Sequence, residues 1–432
     1  MGRFQARRQR VLAAFAVGIT AVLLSAGCSS SGNNGNSASG SSGKVVHIFA
    51  WGQETDPAVG AAYVAETWMQ SAPEAAVKAI NANPDSKEKL TFTFCDTKLT
   101  PNGSAACAQQ ALSPTGCNGA RCTVAIDELD VAGEQTVATE LHAAGLPVVA
   151  SAPASAQVFS TPGVFCISGT SEAAEKGMGY LMKSAGAHKV GIVGVQLPEI
   201  AEIDQWRVAG IQAQGLIYNG VSNPAGNDPN VQPPITAVMG NGADGLIYSG
   251  AYAGPAIEYA RSTYPNAKIA MPSYITAPFA LKGIPVAATN GISVSAFSQP
   301  VTATQVPGVR QYLKETKGAV APTFQNFDYS LLTWLATHFI ANVANSIAGP
   351  VDSSSLLQAI DHAENVTMYG VEPPWSASQL GQDGAAACSP YNVWVKESLE
   401  NNLQVTDEPG VFRNSGTGKV EYVDPGFTAP QG

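Results

Sequence analysis

Charge is scarce in this chain. Only 13% of its 432 residues are charged, against 45% hydrophobic. Basic residues are the scarcer sign, and no run of Lys or Arg follows Arg10. Four of the 23 basic residues and none of the 33 acidic ones precede Cys28, so nineteen against 33 remain beyond it, a balance of −14. Such a surface repels phosphate backbones and argues against nucleic acid as a partner. The longest apolar stretch near the start, Val11 to Leu24, is too short and too one-sided in its flanks for a typical membrane span. Motifs of catalysis are missing too. There is no G-x-S-x-G elbow and no P-loop. The GNGADG stretch at 240–245 precedes a strand pattern instead of following one, so its glycines mark a turn. The five histidines, His47, His142, His188, His338 and His362, are scattered. Asp127, Glu128 and Asp130 lie close in sequence, but proximity without a partner geometry supports no acid–base role. These absences disfavour an enzyme and imply no cofactor.

What is present begins with an address. Arg3, Arg7, Arg8 and Arg10 form a basic n-region, Val11 to Leu24 an apolar h-region, and Ser25-Ala26-Gly27 places small residues before Cys28. This is the layout of a secretory signal over 1–27. Its end resembles a bacterial lipoprotein lipobox, which implies that Cys28 is acylated and anchors the chain to the outer face of a cell membrane. Residues 29–43 are almost entirely Ser, Gly, Asn and Ala, a flexible tether with nothing to build a core.

Beyond Cys28, 404 residues suffice for two domains of ordinary size. Setting Cys28 aside leaves six cysteines: Cys95, Cys107, Cys117, Cys122, Cys166 and Cys388. An even number in an exported protein suggests up to three disulfides, although sequence alone does not choose among the pairings. Cys117 and Cys122 bracket a small loop, and Cys95 and Cys107 are placed to clip a strand end to the next helix. Cys166 and Cys388 would then pair over a long distance. Zinc is the rival for the first four, disfavoured because no histidine lies near them.

The folded part alternates. Strand patterns at 44–50, 90–94, 122–126 and 146–150 are separated by helical ones starting at the Ser71-Ala-Pro-Glu74 capping box and at 105 and 133. Helices and strands alternate again from Glu172 to Phe297. Two parallel sheets covered by helices follow. A wide apolar stripe over 327–347 (Leu331, Trp334, Leu335, His338, Val343) predicts a buried helix, and Asp352 or Ser353 caps another. From Gly370 the composition turns to Pro, Gly and Ser, with strand patterns at 391–395 and 419–423 in a hairpin-rich tail.

The chain resembles the type I periplasmic binding proteins of branched-chain amino-acid ABC importers. The resemblance runs over about 45–400 and rests on AVKAINAN (76–83), FCDT (94–97), AAGLPVVASAPAS (143–155), GAHKVGIVG (186–194), GADGLIYSGAYAGPAIEYAR (242–261) and NFDYSLLTWLATHFIANVANSIAG (326–349). It implies an α/β fold of two Rossmann-like lobes with parallel sheets, joined by three crossing strands and closing on a small ligand. Lobe 1 would be 44–165 plus 298–368. Lobe 2 would be 166–297 plus 369–432, including the C-terminal tail. It implies an ABC permease as partner, with a sensor handing its closed state to a signalling partner as the alternative role. In open parallel sheets a ligand sits beyond the strands' carboxyl ends. The candidates there are Trp51, Gln53 and Glu54, then Asp127 and Glu128, then Ser151, Ala154 and Ser155, and on the second lobe Gln196, Tyr252 and Tyr274. The resemblance gives the 151–155 loop to the ligand's carboxylate. It also implies an acid in the second lobe for an α-ammonium, yet the 272–278 loop carries Tyr274 and no acid.

Overall fold

A computed structural model describes residues 44–54, 68–196, 202–226, 228–278, 280–406, 411–414 and 420–423. The address and tether, Cys28 included, lie outside them. From Gly43 onward the chain forms one compact unit.

The first sheet holds β1 (Lys44–Gly52), β2 (Glu88–Asp96), β3 (Val124–Leu129), β4 (Val148–Ala150) and β5 (Val164–Cys166) in the order β2-β1-β3-β4-β5. Every pairing in it is parallel. Helices α1 (Trp68–Ala82), α2 (Pro101–Leu112) and α3 (Glu134–Ala143) connect its strands. Helix α1 begins before the expected Ser71 cap and carries Pro73 inside it. Pro73 removes one backbone donor from the helix, and Met69 and Ala72 in the same turn are buried.

The second sheet repeats the plan. Strands β6 (Lys189–Val193), β7 (Ile217–Ser222), β8 (Gly245–Tyr248), β9 (Lys268–Pro272) and β10 (Ser293–Ala296) run parallel in the order β7-β6-β8-β9-β10. Their helices are α4 (Ser171–Ser184), α5 (Glu202–Ala213), α6 (Gln232–Met239), α7 (Ala253–Thr263) and α8 (Val286–Thr289). Helices α4 and α5 cross where Gly179 faces Gly210, so closely that a Cβ on Gly179 would fall 2.2 Å from the Gly210 carbonyl.

The chain then returns to the first sheet with α9 (Pro307–Thr316), α10 (Pro322–Gln325), α11 (Asp328–Ser346) and α12 (Ser353–Asp361). Helix α11 is the buried one its stripe foretold and packs on α1. Asp352 caps α12 through a reciprocal bond with Ser355. The tail supplies antiparallel strands to the second sheet: β11 (Val393–Glu400) pairs with β10, β12 (Leu403–Val405) pairs with β11, and β13 (Val411–Asn414) and β14 (Val420–Val423) extend the same sheet.

Three segments pass between the sheets, after β5, after β10 and before β11. They meet at Gly169, where a Cβ would fall 2.2 Å from the Val393 carbonyl oxygen and 3.8 Å from that of Phe297. Only glycine fits this junction. All three disulfides form, as Cys95–Cys107, Cys117–Cys122 and Cys166–Cys388.

Candidate ligand-binding site

Beyond the carboxyl ends of the first sheet lies a group of acids with no base among them. Asp127 and Glu128 close β3, Glu54 follows β1, and Asp130 and Glu134 lead into α3. Asp127, Glu128, Asp130 and Glu134 are each at most 2% exposed. Among the described residues no Lys or Arg forms an ion pair with any of them.

Glu134 is the pivot. Its two carboxylate oxygens accept the Ala154 N–H at 2.9 Å and the Ser155 N–H at 2.8 Å. The Asp127 carboxyl lies beside it, near enough for the two charges to act on each other. Two buried carboxyls so placed resist being charged together. Glu134 already has two backbone donors, whereas neither Asp127 oxygen has a hydrogen-bond partner, so of the two Glu134 is placed to carry the charge and Asp127 the proton. Burial, and then the Glu134 charge, hold Asp127 well above the ordinary carboxylate range. Burial likewise drives Glu128 well up, with Glu54 adding repulsion. Burial and Asp96 push Glu54 to about 7.

The remaining candidates on this side are placed as follows. The Gln53 side chain accepts from the Val131 N–H at 3.3 Å, and the Glu54 N–H donates to Asp96 at 3.0 Å. The Ser151 hydroxyl donates to the Asp127 carbonyl at 3.0 Å, and the Ser155 hydroxyl accepts from the Val158 N–H. Trp51 is fully buried in the core beside Phe49 and Cys107, and its indole N–H has no acceptor.

On the second sheet, Gln196 is exposed and Tyr252 is half-buried. Tyr252 adopts a left-handed backbone (φ 61°) just before α7. Tyr274 follows β9, and its hydroxyl accepts from Arg207 at 3.3 Å and donates to Glu175 at 3.4 Å. Arg207 on α5, which sequence reasoning missed, also donates to Glu175 at 2.7 and 3.2 Å and to Asp204 at 2.9 Å. Burial alone would lower its pKa; Glu175, Tyr274 and Asp204 outweigh this and raise it. An isolated arginine on an otherwise apolar helical face was the available signal. Glu134 was missed as well, although it opens a helix just after an acid-rich strand end.

The two halves touch at this rim. Phe159 from the loop after β4 stacks on Trp206 of α5 at 6.0 Å, and the Ala156 N–H donates to Glu202 at 3.0 Å. The two halves are therefore joined here as well as through the crossings.

The buried acids predict a stability profile. Glu134, Asp328 and Glu54 are raised to about 7, by burial first in each case. The folded state then holds protons that the unfolded chain has released. Their stabilising contribution is fully present below the unfolded carboxyl pKa of about 4–4.5 and is lost as pH rises through about 7. The melting temperature should be higher near pH 5 than at pH 7.5. A rise over that interval would show these carboxyls ionised and paired in the fold.

Two parallel α/β sheets joined by three passes, with polar groups gathered at the strand ends, define a two-lobed binding-protein architecture. The periplasmic binding protein family model matches residues 56–391, and the chain belongs to that family. Solved structures share the fold. A solute-binding protein of an ABC transporter from Rhodopseudomonas palustris HaA2, in complex with p-hydroxybenzoic acid, is 14% identical with a TM-score of 0.67, over 86% of this chain and 98% of that one. The branched-chain amino acid transporter substrate-binding protein of Streptococcus pneumoniae, in complex with isoleucine, is 12% identical with a TM-score of 0.67, over 88% and 100%. A leucine-binding protein from Thermotoga maritima is 14% identical with a TM-score of 0.64, over 88% and 97%. No curated protein matches the chain. Among the described residues no helix is long and apolar enough to cross a membrane, and no group of three or more His, Cys, Asp or Glu side chains is disposed to hold a metal ion.

Proposed function

We propose that this protein is an extracytoplasmic solute-binding protein, anchored by a lipid on Cys28, that captures a small polar or amphipathic molecule between two lobes and delivers it to an ABC-type importer. The observation that carries the reading is the pairing of two strand-end clusters, Asp127–Glu128–Glu134 and Tyr274–Glu175–Arg207, on sheets linked by passes that meet at Gly169. Ligand contacts made by both lobes exist only when the cleft is closed, so a ligand shifts the population toward closure. The related structures that hold isoleucine and p-hydroxybenzoic acid support a ligand of that size. In this reading lobe 1 is 44–165 plus 298–368 and lobe 2 is 166–297 plus the C-terminal part, and the packing of Trp375 on Phe165 and Phe339, with its donation to the Cys166 carbonyl, supports extending lobe 1 past 368.

Thermal denaturation against a panel of amino acids, amines, short carboxylates and aromatic acids tests the reading. A ligand at about 100 times its dissociation constant should stabilise the fold by about 2.7 kcal/mol. Stoichiometric binding without product formation supports a carrier; turnover of the bound molecule overturns it. For the anchor, Cys28→Ser should move the protein from the membrane fraction to the medium.

A further inference from the structure

We infer that Glu134 occupies, as a built-in carboxylate, the anion cradle of the 154–155 loop, and that the site in consequence takes an organic cation rather than a carboxylate. The inference rests on the solute-binding reading and names its substrate class.

The cradle is real and it is full. Two adjacent N–H groups, from Ala154 and Ser155, converge on the two oxygens of one carboxylate. Paired backbone donors of this kind bind an anion without a cationic side chain. An incoming carboxylate would have to displace Glu134, which is tethered one helix away at no entropic cost of association. It would also enter beside Asp127 and Asp130, the acids that bear on Glu134, with no lysine or arginine paired to either among the described residues.

A second observation points to what is missing. Glu128 is fully buried and neither of its oxygens has a hydrogen-bond partner; Glu54, the charge that bears on it, has a buried Oε1 that is also unpartnered. Buried acceptors left bare cost free energy, and several bare acceptors side by side call for a donor-rich group. An ammonium, amidine or guanidinium supplies such donors with the matching charge. A metal ion is the poorer fit, because these carboxyls do not converge in a metal-holding group. Arg207, the cation beside Tyr274, is not free for a carboxylate ligand either, since it already faces Glu175 and Asp204.

The test uses matched pairs that differ only in charge: benzamidine against benzoate, and isopentylamine against isovalerate. Calorimetry and melting curves on the purified protein should show binding of the cationic members and none of the carboxylates. Glu128→Gln should weaken the cation at least tenfold while raising the melting temperature of the free protein, a rise that a ligand-free structural role for a paired carboxylate would not give. Glu134→Ala empties the cradle, and acetate at millimolar concentration should then raise the melting temperature of the variant and leave the original protein unmoved. Should that variant not fold, Glu134→Gln keeps the shape and should reduce cation affinity several-fold. Binding of benzoate or isovalerate to the original protein, with the amines inert, overturns the cation assignment and leaves the solute-binding reading intact. An acetate response absent from Glu134→Ala overturns the cradle. If neither series binds, the cation assignment fails, while the solute-binding reading is judged separately by the wider ligand panel.

Discussion

Arg207→Ala should lower the unfolding free energy by about 3–5 kcal/mol, the usual cost of leaving one member of a buried ion pair alone. The Arg207 and Glu175 side chains are 3% and 1% exposed, with Nε 2.7 Å from Oε2. The two partners read differently. Arg207 is held more basic than usual, whereas Glu175 sits above its ordinary range because burial outweighs the arginine beside it. As a pair the two are therefore close to break-even, and the large penalty arises when one is removed. Tyr274 and Asp204 lose a donor in the same substitution. Arg207→Met combined with Glu175→Leu removes both charges at similar volume and should recover most of the loss. Urea denaturation of the single and double variants completes the cycle. A single variant within about 1 kcal/mol of the parent would mean that water reaches the pair and that Arg207 is not a structural cation.

Opening Cys166–Cys388 should be the costliest of the three disulfide losses. The bond closes a loop of 222 residues, against 12 for Cys95–Cys107 and 5 for Cys117–Cys122. In the chain-entropy account the long loop is worth about 5 kcal/mol and the shortest about 2. The native geometry around the long bond is held independently, since Trp375 donates to the Cys166 carbonyl and the Cys166 N–H donates to the Cys388 carbonyl. Cys166→Ser with Cys388→Ser should therefore act mainly through the unfolded chain. Melting curves of this double variant and of Cys117→Ser with Cys122→Ser give the comparison. A larger loss from the short loop would locate the stabilisation in the folded state instead.

Much of the fold was legible because its signals are local. The β-branched runs, the helical stripe of α11 and the Asp352 cap each depend on residues within one or two turns of each other. The strand ends were legible for the same reason, and so were the positions of Glu54, Asp127, Ala154 and Tyr274 upon them. The start of α1 was misplaced because Ser71-Ala-Pro-Glu74 reads locally as a cap, whereas α1 packs on α11 far along the chain and begins before Ser71. The tail was read as hairpins, and its placement was beyond local reading: β11 finds β10 about a hundred residues upstream, which no turn signal announces.

By itself, then, the sequence determined the alternation of strand and helix, the parallel core of each sheet, the cysteine inventory and the acidity of the chain beyond Cys28. Each is a property of composition or of a short period. Only the tertiary structure decided what the candidate residues do. Glu134 reaches the 154–155 loop across 20 residues, and Arg207 reaches Glu175 across 32. A carboxylate's role depends on which donors surround it once water is gone, and those donors are assembled by the packing of β3, β4, α4 and α5 rather than by the order of the residues that carry them.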